Sequence, residues 1–156
     1  MLIGPATHPF TLQDAYGATL ADYLFYPNDE LVYVRWHGHL TAAEVIRGVS
    51  QGSLWAADFD YSLILNDKSD TGGDWSDALP WLHYEWLPQA LEKGIRAMAY
   101  VFSPDRTNRF VTQEFVGAIS PQMAIELFDD RDLAIEWLLR QKGNAVPVNV
   151  LGPAGR

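Results

Sequence analysis

The sequence predicts an α/β domain: a mixed five-stranded sheet, mostly parallel, with an antiparallel hairpin at its start and helices on both faces. Three observations predict it. Residues 61–66 and 95–102 are short runs apolar on both faces, the pattern of parallel strands covered by helices. The stretch between them carries Trp75, Trp81, Tyr84 and Trp86 at helical spacing, which makes the whole a βαβ unit. Further strand and helix patterns on either side give the order β-β-α-β-α-β-α-β-α, and right-handed crossovers then make the last three strands parallel.

Taken in order, residues 1–17 hold Gly4-Pro5, His8-Pro9 and Gly17 without a sustained period and read as an arm that is ordered only where it docks. The domain proper is expected over residues 18–142. Residues 20–26 and 31–36 are rich in aromatic and branched side chains and are separated by Pro27-Asn28-Asp29-Glu30, a hairpin signal. In the second strand Val32, Val34 and Trp36 share one face. Thr41-Ala42-Ala43-Glu44 has the spacing of a capping box. The helix it opens buries a stripe of Val45, Ile46, Val49 and Leu54, while Gly48 and Gly52 weaken its middle by up to ~1 kcal/mol each relative to alanine.

After the strand at 61–66, residues 67–74 read as a loop. Pro80 fits the first turn of the next helix, and Pro88 removes a backbone donor, which predicts a kink between Tyr84 and Leu87. Gly94 stops that helix just before Ile95. Ser103-Pro104 reads as a cap and first helical residue, with Phe110, Val111, Phe115 and Ile119 as the buried face. Ser120-Pro121 ends it, residues 123–128 are the fifth strand, and Asp129 or Asp130 caps a last helix with a stripe of Leu133, Ala134, Trp137 and Leu138. Lys142-Gly143 closes it. Residues 143–156, with Pro147, Gly152, Pro153 and Gly155, read as a tail.

Composition narrows the function. A formal net charge of -9, with eleven scattered Lys and Arg, repels phosphate backbones and anionic surfaces, so neither nucleic-acid binding nor membrane insertion is expected. There is no cysteine, which removes thiolate metal sites, disulfides and cysteine nucleophiles. No apolar run approaches the ~20 residues of a bilayer span, and the first ten residues lack a basic start followed by an apolar segment, so the expected location is the cytoplasm. Aromatic residues make up 13% of the chain, more than a minimal core needs, which leaves ring surface for a ligand or a second subunit.

Two regions are candidate sites. Residues 67–74 follow the carboxyl end of a strand and precede a helix, where open α/β sheets bind ligands. Asp67, Ser69, Asp70, Thr71, Gly72, Gly73 and the adjoining Trp75 are therefore ligand-binding candidates. The glycines would let backbone N–H groups approach an anion, although Asp67, Asp70 and Asp74 would repel a bare phosphate. A calcium loop fails because Ala78 stands where the closing carboxylate belongs. The plainer reading is an exposed turn whose aspartates cap a helix.

His37 and His39 could hold a metal with His83 or Asp67, but the spacing identifies no third ligand, so no metal and no cofactor is expected. No nucleophile elbow, phosphate loop or dinucleotide fingerprint is present, and no catalytic residue is assigned. Ser103, and Glu85 with Asp77, are each explained as a cap and as solvated carboxylates. The second region is the aromatic helix. Leu79, Leu82, Trp86 and Ala90 share one face while Trp81, Tyr84 and Pro88 share the next, more than one sheet can cover. Trp55, Trp81, Tyr84 and Trp86 are thus candidates for a homodimer interface or an apolar ligand.

The element order, together with Leu31-Val32-Tyr33-Val34-Arg35-Trp36-His37-Gly38, Glu85-Trp86-Leu87-Pro88-Gln89-Ala90-Leu91 and Phe128-Asp129-Asp130 before Ala134-Ile135-Glu136-Trp137-Leu138, resembles the SpoIIAA-like proteins. These are bacterial relatives of the STAS domains and of the CRAL-TRIO lipid-binding fold. The resemblance spans about residues 18–140. It implies a small non-catalytic domain, often dimeric, working in regulation or in binding an apolar or nucleotide ligand. In the anti-anti-sigma branch a serine in an Asp-Ser-Ser-Gly turn is phosphorylated by a partner kinase. Here the turn reads Asp70-Thr71-Gly72-Gly73, which makes Thr71 the phosphoacceptor candidate and departs from the motif at its centre. The leading expectation is a homodimeric regulatory domain acting through contact with a partner protein. A carrier of a small apolar ligand or lipid is the alternative, and its mark would be a continuous cavity of at least ~300 Å³; a metal- or phosphate-dependent enzyme centred on His37, His39 and Asp67 ranks third.

Overall fold

Six strands, one more than the sequence predicts, form a single sheet in chain order in a computed structural model that describes residues 2 and 4–142. They are β1 (Thr7–Gln13), β2 (Thr19–Tyr26), β3 (Leu31–His39), β4 (Leu63–Gly72), β5 (Ala97–Val101) and β6 (Ala124–Phe128). The first three are antiparallel neighbours and β3 to β6 run parallel. The additional strand, β1, comes from the stretch read as an arm. Its alternation is interrupted by an irregularity between Thr7 and Phe10, where His8 has φ 52° and Pro9 follows. A bulged edge strand containing proline shows no clean period of two.

Each parallel strand adds on the same side of the one before, and right-handed crossovers then stack every connecting helix on one face. The packing follows that rule. Helix α1 (Ala42–Trp55) and a helical run after β4 lie on this face together with α4 (Arg106–Ile119). Val45, Leu82, Leu87, Ala90, Val111, Phe115 and Ile119 share one core with Val32, Val34 and Trp36 of β3. The opposite face is covered by α5 (Arg131–Lys142) alone, where Ala134, Ile135 and Leu138 meet Leu31, Leu63, Leu65, Ala97 and Ala99.

The run after β4 changes its winding three times. A 3-10 turn at Ser76–Ala78 leads into one α turn, α2 (Leu79–Trp81), then a π turn at Leu82–Trp86, then α3 (Leu87–Lys93), which Gly94 ends at φ 102°. The π turn falls in the stretch where Pro88 predicts an irregularity. Proline has no N–H to donate back along an α-helix, and a wider turn before it accommodates that loss.

Several local details differ from the sequence reading. Asp105, not Ser103, caps α4, accepting from Asn108 N at 3.1 Å; Ser103 lies outside the helix, with its hydroxyl donating to Thr71 O at 2.7 Å. Phe110, Leu54 and Leu133 are exposed, because the narrower stripes of Val111, Phe115 and Ile119, of Val45 and Gly48, and of Ala134, Ile135 and Leu138 already fill the contact with the sheet. Thr41 caps α1 as expected, accepting from Glu44 N at 3.3 Å. Gly143 and the stretch read as a tail lie outside the described residues.

Candidate functional site

The site begins with the length of β4. Residues 67–72 are strand rather than loop, because β3 continues beside them, pairing His37 with Asp70, Gly38 with Thr71 and His39 with Gly72 beyond an irregularity after Arg35. Alternation along β4 therefore continues through its charged residues. It sends Ile64, Asn66 and Lys68 to the face under α1, and Leu63, Leu65 and Asp67 to the face under α5.

Lys68 is 2% exposed. Its Nζ lies 4.1 Å from the ring centre of Trp75, 4.8 Å from that of Trp36 and 5.7 Å from that of Tyr100. Ring faces attract a cation, but they are no substitute for an acceptor. Among the described residues this amine makes no hydrogen bond and no ion pair. Burial accordingly pushes the Lys68 amine down to about 7. The indole N–H of Trp75, itself fully buried, also has no acceptor.

A cavity of about 60 Å³ opens beside the amine, between α1 and the π turn. Its lining runs from exposed Ser53 on α1 to buried Lys68, past Val34, Val49, Leu82 and Trp86. The space matches about two water molecules at their liquid volume of ~30 Å³ each, or a compound of similar bulk. It is well below the ~300 Å³ that marks a carrier of larger apolar ligands.

Glycines set the floor of α1 against the sheet. A Cβ at Gly48 would come within 2.5 Å of the Trp36 ring, and one at Gly52 within 2.7 Å of Tyr23. Tyr23 donates its hydroxyl to Gly48 O at 2.7 Å. The two glycines that weaken the helix by propensity are thus the ones that let it approach two large rings.

The candidates from the 67–74 stretch are dispersed. Asp67 is buried under α5, accepting from the Tyr33 hydroxyl at 2.8 Å, from Ser69 N at 3.0 Å and from Ser69 Oγ at 2.6 Å. Asp70 is exposed and meets His37 Nδ1 at 2.8 Å, while Asp22 meets His37 Nε2 at 3.0 Å. Thr71 is 6% exposed and donates its hydroxyl to Lys68 O at 2.7 Å. Gly72 O accepts from Leu40 N and from the Asn108 amide. Gly73, at φ 96°, donates its N–H to Asp105 Oδ2 at 3.1 Å. The glycine amide expected to face an anion is thus used to fasten β4 to the cap of α4. Asp74 does act as a turn cap: hydrogen bonds from the Ser76 hydroxyl and N–H hold its carboxyl below the usual range.

Only Trp75 of that set belongs to the Lys68 site. Of the aromatic candidates, Trp86 lines the cavity, Trp81 is half-buried and Tyr84 is 71% exposed, with His83 stacked on it at 4.6 Å. Trp55 joins a separate cluster with Phe10, Tyr23 and Phe59, and donates its indole N–H to His8 O. Among the described residues no group of three His, Cys, Asp or Glu side chains is placed to hold a metal, and no helix is long and apolar enough to cross a membrane.

Lys68 is the candidate residue that sequence reasoning missed. The signal available was the period of two: counted on from Ile64 and Asn66, Lys68 falls on the helix-covered face.

The model of the family described as SpoIIAA-like matches residues 31–139, from the start of β3 to the last turns of α5. No curated protein and no solved structure matches the chain.

Proposed function

Because the chain belongs to the SpoIIAA-like family, we propose that it is a regulatory interaction domain, working as a homodimer through its aromatic helical run, with a small molecule beside Lys68 setting the shape of that run. The observation that carries this reading is the double position of the π turn. Leu82 and Trp86 line the cavity from inside, whereas Tyr84, between them in sequence, presents its ring to the outside. A π turn is a local widening that recurs at functional sites and has an α-helical alternative. Occupying the cavity would bias which winding the segment takes, and so the direction of Tyr84 and half-buried Trp81.

Size-exclusion chromatography with light scattering at tens of micromolar tests the reading. A dimer is expected, and Trp81→Ala with Tyr84→Ala should shift it toward monomer. A strict monomer in the unsubstituted chain, with the same elution in the double variant, would remove the homodimer from the proposal.

A further inference from the structure

Two polar groups in the deep lining, the Lys68 amine and the Tyr100 hydroxyl, have no protein partner among the described residues. Lys68 Nζ has no hydrogen-bond partner among the described residues; it lies on the ring of Trp75, which packs behind it without lining the cavity. Tyr100 lines the same cavity, and its hydroxyl is likewise without a partner; burial pushes its ionisation up, so it remains a donor at neutral pH. Two further buried polar side chains of the lining are already engaged. Asn66 accepts from Trp36 Nε1 at 2.9 Å and donates to Met98 Sδ at 3.1 Å, and the Tyr23 hydroxyl is bonded to Gly48 O.

Water could bridge the two unpartnered polar groups, but it would leave the apolar remainder of the wall uncovered. A long acyl chain does not fit about 60 Å³. The missing piece is an anionic acceptor on a compact apolar body, since a charge-assisted hydrogen bond in a water-poor site is the strong kind. The chain's net charge of -9 opposes an anion at long range, but physiological salt screens that field beyond about 8 Å, and the amine acts at contact.

We propose that the cavity takes a small monocarboxylate, its carboxylate on Lys68 Nζ and its body of roughly one or two carbons against Val34, Val49, Leu82 and Trp86. The proposal rests on the cavity of the functional reading above and not on its dimer, so the two can fail separately. Phosphate-bearing ligands are too highly charged to be neutralised by one amine in an apolar wall, and a second cation is absent from the lining.

The test compares isosteric acids and amides. Acetate and propionate are titrated beside acetamide and propionamide, followed by tryptophan fluorescence and by the side-chain resonances of isotope-labelled lysine. In the unsubstituted chain each acid is expected to bind at least about tenfold tighter than its amide, with the Lys68 resonance shifting. Lys68→Met should abolish the preference for acids while amides still bind, and Val49→Trp, which fills the cavity without touching the amine, should weaken both. Equal binding of acid and amide to the unsubstituted chain would overturn the proposal, and that arm needs no variant to fold. So would an acid preference that survives Lys68→Met, or saturation that leaves the Lys68 resonance unmoved. Trapping propionaldehyde on Lys68 with cyanoborohydride, with no acid bound, would replace the carboxylate by a carbonyl ligand. Failure of every compound to bind would remove the cavity from the functional reading as well, whatever the oligomeric state.

Discussion

Asp67 and Lys68 are neighbours on β4, almost equally buried and opposite in charge, yet the two faces of the sheet treat them in opposite ways. Under α5, Asp67 receives three hydrogen bonds, and the Tyr33 hydroxyl that gives one of them is also within 3.4 Å of Arg131. Under α1, Lys68 receives three ring faces and no acceptor. A buried charge is tolerated when partners replace its water, and it is costly when they do not. The satisfied charge holds structure together. The unsatisfied one reduces stability, which is the usual mark of a group kept for binding.

The largest effect should come from breaking the satisfied side. Asp67→Ala removes three acceptor bonds and leaves the buried Tyr33 hydroxyl and Ser69 N–H without their partner. A loss of about 3 kcal/mol is expected in urea unfolding. A change below about 1 kcal/mol would mean that the Asp67 network is not structural and that the contrast between the faces does not hold.

The converse substitution should stabilise. Lys68→Met keeps the length of the side chain and discards the buried amine, and a gain of about 2 kcal/mol at pH 7 is expected. The pH dependence gives the sharper signature. The folded amine titrates at about 7, below its ordinary 10.5, so between those values the unfolded chain holds a proton that the folded chain does not. Stability of the unsubstituted protein should therefore rise with pH across this window, by about 1.4 kcal/mol per unit at most, and fall to its lower plateau below about 7. The titratable groups that line the cavity with Lys68 are Tyr23, Tyr61 and Tyr100, all pushed upward by burial. Unfolding measured at pH 7, 8 and 9 avoids their range. The slope should vanish in Lys68→Met, and its persistence there would assign it to another group.

The same contrast explains how much could be read from the chain. The hairpin, the parallel order of the later strands, the Thr41 cap and the Gly94 stop were legible, because each is dictated by residues within a few positions. The extent of β4 was not. Asn66-Asp67-Lys68-Ser69-Asp70 has the composition of a loop, and it is strand only because β3 runs beside it and the rings of Trp36, Trp75 and Tyr100 and the hydroxyl of Tyr33 cover its charges. Those partners lie between 7 and 34 positions away, and spacing carries no record of them. Gly48 and Gly52 failed for a related reason: propensity counts a glycine as a defect, and only the fold reveals the ring above it.

That gives the third way to test the comparison. Gly48→Ala drives a Cβ to within 2.5 Å of the Trp36 ring. Overpacking of this kind costs about 1–3 kcal/mol, against a helix-propensity gain of up to ~1, so a net loss of about 1–2 kcal/mol is expected in the same urea assay. Displacing the Trp36 ring would also disturb its bond to Asn66 and one wall of the Lys68 box. A neutral or stabilising outcome would show that α1 can lift from the sheet at little cost, and that the cavity has no fixed width.

The smallest effect belongs to Arg131, which could be mistaken for the counter-charge that neutralises Asp67. Its guanidinium is on an exposed residue at the start of α5 and reaches the Tyr33 hydroxyl only at 3.4 Å, a long hydrogen bond. The hydroxyl's own bond to Asp67 is 2.8 Å, so the aspartate is satisfied chiefly by neutral donors on β3 and β4. An exposed pair of this kind contributes between nothing and about 1 kcal/mol, and salt reduces it further. Arg131→Ala should therefore lower stability by no more than about 0.5 kcal/mol, and the difference should disappear in 1 M salt. Were it to cost as much as Asp67→Ala, the α5 face would be held by a true ion pair. The two faces would then differ in whether a counter-ion is supplied from within the chain, and on the α1 face that counter-ion would have to come from a ligand.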